Sequence, residues 1–277
     1  MSLFRCPICA APLSREEGRY LCPNRHSFDL AAAGYTHLLP PNKMHSRLPG
    51  DDGDMVAARS DFLSRGYYAP LREELCRRLI ALTGENPSPA LLDSGCGEGY
   101  YTQGIWDALV RAGKTPRLAG IDISKLALRR AAKKVKEGEF AVASVYHLPL
   151  ADRCLDAVVD VFAPLSAEEF GRVLKPGGHF LYVVPAPRHL WQMKQVLYET
   201  PYENKEQRVE YPGFSYVDIV PVRYTVTLPC QADIHALFQM TPYCWRTPRA
   251  GREALAALEQ LETEVAFDIH IFQRSDS

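Results

Sequence analysis

The sequence predicts an α/β protein with a Rossmann-like, mainly parallel sheet that follows a small metal-binding module. Strand-like and helix-like patterns alternate from residue 90 onward, which is typical of βαβ units. A glycine-rich turn at residues 95–99 joins the first of these strands to a helix, as in sheets that bind a ligand at their edge. Three cysteines and a histidine cluster within the first 26 residues.

Length, charge and hydropathy limit the class of protein. The chain has 277 residues, enough for one large or two smaller domains. Its net charge of −1 excludes a chain that is basic throughout, as many nucleic-acid-binding proteins are. No stretch approaches the roughly 20 apolar residues of a membrane span, and the N-terminus lacks the apolar region of a signal peptide. We therefore expect a cytoplasmic protein with no membrane partner.

Four residues near the start have the spacing of a zinc site. Cys6 and Cys9 form a C-x2-C pair, and Cys22 and His26 form a C-x3-H pair twelve residues later. Each pair can reach one ion from a tight turn, and four protein ligands close a tetrahedral, structural site. The alternative is free thiols and a surface histidine. The other five cysteines are expected to be small buried hydrophobes, with a nucleophilic thiol at Cys96 as a weaker alternative.

The chain divides into three parts by composition. We expect a zinc-binding module at residues 1–39, a linker with two helices at 40–85 and the main α/β domain at 86–277. The first fifty residues contain six Lys or Arg and three Asp or Glu residues. A solvated basic surface explains this excess as well as a phosphate-binding surface does, and Lys43 and Arg47 are candidates for phosphate contacts.

The periodicity and the turn residues place the elements of the main domain. Residues 155–161 are almost continuously apolar, as in a strand buried on both faces, and Ser124 is placed to cap a helix. The predicted strands are 90–93, 118–122, 140–143, 155–161, 179–184, 214–228 and 265–272. The predicted helices are 55–63, 71–82, 101–111, 124–136, 167–174, one that includes 187–191, and 230–240, with an aromatic-rich turn at 241–245.

The turn after the first strand indicates which ligand binds. Gly95, Gly97 and Gly99 let backbone N–H groups approach a ligand, and the acid Asp93 precedes them. A second acid, Asp122, ends the next strand, where it can accept hydrogen bonds from ribose hydroxyls. The run lacks both a phosphate-binding G-K-[ST] and the dinucleotide glycine spacing. These features favour S-adenosylmethionine, and the alternative is an ordinary glycine turn.

Five motifs together resemble one known family over nearly the whole chain. They are CPIC with CPNRHSFDLA, GYYAPLR, LDSGCGEGYY, APRHL and QMTPYCW. The chain is similar to the bacterial 23S ribosomal RNA guanine-N1 methyltransferases of the RlmA type. This resemblance implies a seven-stranded class I methyltransferase fold, methylation of guanine N1, a zinc ribbon that helps to grip a hairpin loop of 23S ribosomal RNA, and a homodimer.

The resemblance also implies roles for individual residues. It makes Cys6, Cys9, Cys22 and His26 the zinc ligands. It assigns S-adenosylmethionine contacts to Tyr68, Gly97, Glu98 and His189, and the ribose hydroxyls to Asp122. One stretch departs from many proteins of this fold, because residues 144–150 read SVYHLPL and lack the usual acid near the adenine. The adenine amino group therefore needs another acceptor.

Methylation at guanine N1 requires that a proton leave. Asp160 ends the fourth core strand, where such folds present the target, and it is our candidate base. An acid that only orients a loop is the alternative. A base that is paired must also flip out of the helix. The candidate stacking surfaces are Tyr68, Tyr100, Tyr101 and Phe162, each of which could equally belong to the core.

Two other functions fit parts of the sequence. A small-molecule methyltransferase could share the same core, but a small acceptor needs no metal module. A zinc-ribbon RNA-binding protein with an inactive core is the second alternative. The intact Asp93, Asp122 and three glycines argue against this loss of activity.

Overall fold

Two β-sheets organise the part of the chain that the computed structural model describes, residues 2–40, 53–206 and 208–275. The small sheet belongs to the predicted metal module and is antiparallel. Its strands are β1 (Ser14–Glu16), β2 (Arg19–Leu21) and β3 (Ser27–Asp29).

The large sheet has eight strands in the order β10-β11-β9-β8-β5-β6-β7-β4. Its strands are β4 (Tyr35–His37), β5 (Ala90–Ser94), β6 (Arg117–Asp122), β7 (Glu139–Val142), β8 (Leu155–Val161), β9 (Leu174–Pro185), β10 (Phe214–Leu228) and β11 (Leu261–Arg274). The six strands from β4 to β9 are parallel, and β11 and β10 complete the sheet in antiparallel pairing. The predicted α/β fold is confirmed. The predicted seven strands are present, and β4 is an eighth.

Helices pack against the large sheet, from β4 and β7 near one edge to β10 at the other. They are α1 (Gly53–Ser64), α2 (Ala69–Leu82), α3 (Tyr100–Arg111), α4 (Lys125–Lys134), α5 (Ala167–Val173), α6 (Trp191–Leu197), α7 (Gln231–Gln239), α8 (Tyr243–Arg246) and α9 (Arg249–Ala256). The predicted cap of α4 is confirmed, since the Ser124 hydroxyl accepts the N–H of Ala127. Within the described residues, no helix combines the length and apolarity that a bilayer crossing requires.

Two element predictions were wrong, and one helix was not predicted. Residues 187–190 form a turn, because Leu190 adopts a left-handed φ of 56°, and helix α6 starts only at Trp191. The predicted turn at 241–245 contains the one-turn helix α8. Helix α9 was not predicted, and its sequence lacks a strong capping residue before it.

The parallel strands are buried on both faces, and successive residues enter different cores. Leu91 and Val159 join a cluster with α2 and α3, whereas Leu92 and Val158 join a second cluster that includes Phe4 of the metal module. This alternation follows from the two-residue period of a strand. The metal module thus covers part of a sheet face that a helix would otherwise cover.

Hydrogen bonds also join the metal module to the sheet. The N–H of Arg5 donates to the carbonyl of Pro149 at 2.8 Å, and the hydroxyl of Tyr20 donates to Glu139 at 3.1 Å. Strand β4 then pairs in parallel with β7. The division at residue 39 remains a prediction, and the module on its N-terminal side shares both a sheet and a core with the main domain.

Candidate functional site

The glycine turn lies between β5 and α3 and has a left-handed backbone. Gly95, Gly97 and Gly99 have φ values of 74°, 53° and 85°. Gly99 precedes α3 and presses against α4, so that a Cβ here would lie 2.7 Å from the Cα of Ala131. At Gly97 no atom of the described residues other than its chain neighbours lies within 4 Å of the corresponding position. Gly99 therefore allows close packing of two helices, and Gly97 faces open space.

Asp122 braces the same turn. One carboxylate oxygen accepts the N–H of Gly97 at 2.9 Å, and the other accepts the N–H of Ser124 at 2.7 Å. A carboxylate offers about four lone-pair positions. These two bonds fix the carboxylate beside the glycine turn, where the sequence predicts its contact with ribose hydroxyls.

Glu98 connects the turn to two helices. Its buried carboxylate forms an ion pair with Lys134 of α4, and the hydroxyl of Ser60 in α1 donates to it at 3.4 Å. The second carboxylate oxygen, Oε1, is buried and has no hydrogen-bond partner within the described residues. A buried acceptor without a partner is costly, so this oxygen favours a ligand that brings a donor.

A cavity of about 930 Å³ opens at the carboxyl ends of the parallel strands. Six of the eight predicted cofactor residues line it: Tyr68, Gly95, Gly97, Glu98, Asp122 and His189. Asp93 and Gly99 do not line it. Asp93 is buried beneath the turn and accepts the hydroxyl of Thr102, while Gly99 contacts α4. We therefore correct their predicted role from contacting the cofactor to supporting the turn.

His189 is a neutral hydrogen-bond donor in one wall of the cavity. Burial, with a smaller contribution from the charge of Lys194, lowers its pKa to about 3. Its Nδ1 accepts the N–H of Ala266 at 3.3 Å, so the ring proton is on Nε2. The ring packs on Phe267 with centroids 4.4 Å apart, and Tyr68 packs edge-on to Phe267 at 5.1 Å. This wall is both rigid and aromatic.

Two buried acids lie beneath the cavity floor. The pKa of Asp93 is raised to about 7, mainly by burial and also by the charge of Asp122, with the Thr102 hydrogen bond acting in the opposite direction. Burial raises the pKa of Asp160 to about 8, and Asp93 contributes to that shift. Asp160 is 0% exposed, and its Oδ1 accepts the N–H of Ala163 at 3.1 Å. Its Oδ2 has no partner within the described residues.

These features fit S-adenosylmethionine. The cavity has the size of a small-molecule site and combines apolar walls with a few polar groups. The acceptor atoms of Asp122 and Glu98 suit hydroxyl and ammonium donors. The buried hydroxyl of Ser94 lines the cavity as well and also has no partner within the described chain.

The four predicted zinc ligands come together in space. Their ligand atoms lie within 4.8 Å of one another. The Sγ atoms of Cys9 and Cys22 are 3.3 Å apart, and the Nδ1 of His26 lies 3.5 Å from the Sγ atoms of Cys6 and Cys9. Ligands around tetrahedral zinc stand about 3.5 Å apart, so this donor set fits the ion.

Hydrogen bonds prepare one of these thiols for a metal. The backbone N–H of Ala11 and the side chain of Asn24 lower the pKa of Cys9 to about 6. Burial has the opposite effect on the pKa of Cys6, which it raises. Zinc binds the thiolate form, so Cys9 offers it readily and the ion itself supplies the charge that favours it at Cys6.

Several cavity residues could not be recognised in the sequence. Met55 and Arg59 reach the cavity from α1, Leu39 reaches it from the end of the metal module, and Trp245 reaches it from α8. The only signal for any of them was the QMTPYCW motif, which ends at Trp245. Lys43 and Arg47, the candidates for phosphate contacts, lie outside the described residues.

Comparisons with known proteins agree with this site. Residues 4–47 match the family model described as RlmA, N-terminal, and residues 92–182 match a methyltransferase domain model. YxjB of Bacillus subtilis, named as a 23S rRNA (guanine-N(1)-)-methyltransferase, is 32% identical over 98% of this chain and 96% of its own length. The chain belongs to the RlmA-type methyltransferases. A Streptomyces fradiae relative named 23S rRNA (guanine(748)-N(1))-methyltransferase is 37% identical over 70% of this chain and 67% of its own length.

Membership of the RlmA type explains why both sites occur in one chain. The enzyme depends on S-adenosylmethionine and contains a structural zinc ribbon. The YcgJ protein of Bacillus subtilis has the same core fold, with a TM-score of 0.50, 13% identity and coverage of 74% of this chain and all of its own. Enzymes that act on many different substrates share this core, and the zinc ribbon distinguishes the RlmA type from them.

Proposed function

We propose that this enzyme transfers the methyl group of S-adenosylmethionine to N1 of a guanine in a hairpin loop of 23S ribosomal RNA. One observation carries the proposal beyond family membership. The zinc module is built into the edge of the catalytic sheet, and its Leu39 lines the cavity. A surface that binds the RNA can therefore present a base directly to the cofactor site. The modified residue of the Streptomyces fradiae relative is the first guanine to examine.

The residues around the cavity position the reactants. S-adenosylmethionine supplies an electrophilic methyl group, whose bond to sulfur breaks as the bond to guanine N1 forms. We propose that Asp122 and Gly97 hold the ribose end, and that Tyr68, Glu98 and His189 hold the amino-acid end. Such a displacement is in line, so fixing the angle between donor and acceptor accounts for much of the catalysis.

Asp160 remains our proposed acceptor for the N1 proton. Its Oδ2 is unpartnered among the described residues, while its Oδ1 supports the loop at Ala163. The carboxyl is walled off from the cavity, so the proton would reach it through a bridging water or a small movement of the loop. Catalytic hydrogen bonds commonly tighten only in the substrate complex.

We expect Asp160→Asn to lower turnover about 100-fold while leaving S-adenosylmethionine affinity unchanged. Asparagine keeps an oxygen for the Ala163 N–H but cannot accept the substrate proton. The raised pKa of about 8 means that the parent carboxyl is ionised only above that pH, so its turnover should rise with pH and level off above pH 8. Single-turnover rates between pH 6 and pH 9 measure both effects.

Asp160→Ala is the matched control, because it removes the loop contact as well. A base role requires that asparagine and alanine both lose the rise with pH. Near-parental turnover of the asparagine variant, with loss only in the alanine variant, would leave Asp160 with the loop role alone.

Primer extension on large-subunit RNA tests the proposed function. Methylation at N1 blocks the pairing edge of guanine, so reverse transcriptase should stop one nucleotide before it. The stop should disappear when the gene is deleted and return when RNA from the deletion strain is incubated with purified protein and S-adenosylmethionine. An unchanged set of stops would contradict the ribosomal substrate and favour a small-molecule acceptor. Absence of cofactor binding by calorimetry would favour a binding protein.

The proposal includes an assembly and a location. We propose that the enzyme acts in the cytoplasm as a homodimer, and that residues 1–39 form its RNA-recognition module, 40–85 a connecting segment and 86–277 the catalytic domain. Light scattering on the purified protein tests the dimer. A monomer at micromolar concentration would contradict it.

A further inference from the structure

Exposed aromatic side chains concentrate at one cavity. Four aromatic side chains among the described residues are exposed: Tyr146, Phe162, Tyr202 and Trp245. Three of them line the cavity, and Tyr202 does not. Trp245 is 70% exposed and Phe162 is 46% exposed. Large aromatic surface is costly to leave in water, so this concentration points to a flat, apolar ligand.

The candidate stacking residues from the sequence differ in how deeply they are buried. Tyr68 and Tyr100 are buried in the core around α2 and α3, and Tyr101 packs against that core with its hydroxyl buried. Of the four candidates recognised in the sequence, only Phe162 therefore offers a free ring face.

The strand order divides the cavity into two ends. The ribose acceptor Asp122 ends β6, and Tyr146 follows the neighbouring β7. Phe162 follows β8, on the opposite side of β5. With the cofactor's ribose at Asp122 and its amino-acid end at His189, which follows β9, the cofactor passes the end of β8, and Phe162 borders the space that is left for the acceptor.

Trp245 adds a second exposed aromatic ring to the cavity. It belongs to the segment 240–245, and every residue of this segment except Cys244 lines the cavity. Tyr243 of this segment lies 5.5 Å from the Nζ of Lys194 in α6, the helix that follows β9. Arg246 is exposed beside Trp245 and forms no ion pair within the described chain, which suits a phosphate-bearing ligand.

Phe162 lines the cavity with a strained backbone conformation. Phe162 is one of the few non-glycine residues with a left-handed φ, 60°, a conformation that is strained for a bulky side chain. The bond from the Ala163 N–H to Asp160 holds this turn, and the Phe162 ring rests on Phe267 at 5.0 Å. Strain that is held in this way at a cavity indicates a functional position.

We propose that Phe162 and Trp245 form the stacking site for the target guanine, which leaves the RNA stack and enters the cavity beside the carboxyl end of β8. This inference rests on the proposed function and specifies how its acceptor is bound. Every base has a π face, so stacking supplies affinity for a flipped nucleotide without reading the sequence around it.

A double-mutant cycle that combines protein variants with RNA variants tests the stacking site. The RNA is the shortest one that the parent methylates, prepared once with the target guanine and once with an abasic nucleotide at that position. Binding is measured in the presence of S-adenosylhomocysteine. We expect Trp245→Ala to weaken binding of the guanine RNA about 5- to 100-fold, the range for one base–aromatic stack, and to change binding of the abasic RNA less than twofold.

Three further variants complete the test. Phe162→Ala should show the same pattern, Trp245→Phe should retain most of the affinity, and Tyr202→Ala, the exposed aromatic outside the cavity, should change neither RNA. Tyr146→Ala should instead weaken S-adenosylmethionine binding, because Tyr146 follows β7, the strand beside the one that ends at the ribose acceptor Asp122.

Equal losses on both RNAs, or no loss on either, would overturn the stacking site. Trp245 is exposed, so calorimetric binding of S-adenosylmethionine and an unchanged melting temperature can verify that its variants fold. If the parent methylates no guanine in 23S ribosomal RNA, the proposed function fails. If the parent is active and the cycle shows no coupling, the stacking site alone fails.

Discussion

Removal of zinc, by a chelator or by Cys22→Ser, is expected to abolish RNA methylation and to lower the melting temperature of the whole enzyme. The reason is that the ribbon is a continuous part of the structure. Cys6 and Cys22 belong to the same buried cluster as Leu92 and Val158 of the central strands. Structural zinc contributes about 10–16 kcal/mol of binding energy to small zinc domains, more than the stability of most domains.

Differential scanning calorimetry with and without a chelator measures this effect, and methylation of the RNA provides the functional readout. Cys154→Ser is a matched control, because it replaces a half-buried thiol that is not one of the four zinc ligands. We expect this variant to retain its zinc and most of its activity. If the chelator removed the metal and abolished RNA methylation without shifting the transition, the ribbon would be independent of the catalytic core.

Substitution of Gly99 by alanine is expected to cost about 2–5 kcal/mol of stability and to prevent S-adenosylmethionine binding. The added methyl group would lie 2.7 Å from the backbone of Ala131, and neither helix can retreat easily. The left-handed φ of 85° adds about 1–2 kcal/mol for a residue with a Cβ. Overpacking of a tight contact adds about 1–3 kcal/mol.

Gly97→Ala is the control for this prediction. It shares the left-handed backbone, but within the part of the chain that the structure describes only its chain neighbours lie within 4 Å of the added carbon. We expect the Gly97 variant to lose only the about 1–2 kcal/mol of the left-handed backbone, without the overpacking cost of the Gly99 variant, and to lose cofactor affinity, because that methyl group enters the cavity. Urea titration and calorimetry separate the two outcomes. Equal stability of the two variants would contradict the packing role of Gly99.

The sequence predicted those parts of the site that require special chemistry. Left-handed turns restrict positions 95, 97 and 99 to glycine, and a tetrahedral ion requires its ligands at close spacing, so both leave patterns along the chain. Asp93 illustrates the limit of such patterns. The acid before the glycines suggested a ligand contact, yet its burial and its bond to Thr102 make it a support for the turn.

The remaining parts of the site arise from tertiary packing. Arg59 and Trp245 are far apart in sequence and reach one cavity only because α1 and α7 pack together. Strand β4 has three residues, too few for a two-residue period to be visible, and its place beside β7 depends on the docking of the entire ribbon. A single sequence carries no local signal for such contacts.

The position of β4 also bears on how the gene can be rearranged. A break after residue 39 would take away the strand that covers β7, and with it part of the apolar layer on one side of the sheet. The shortened chain would then carry an open edge of unpaired backbone groups, which is a template for association between copies. Separation of the chain at this point would therefore favour aggregation of the catalytic part, so the ribbon also protects the edge of the catalytic sheet.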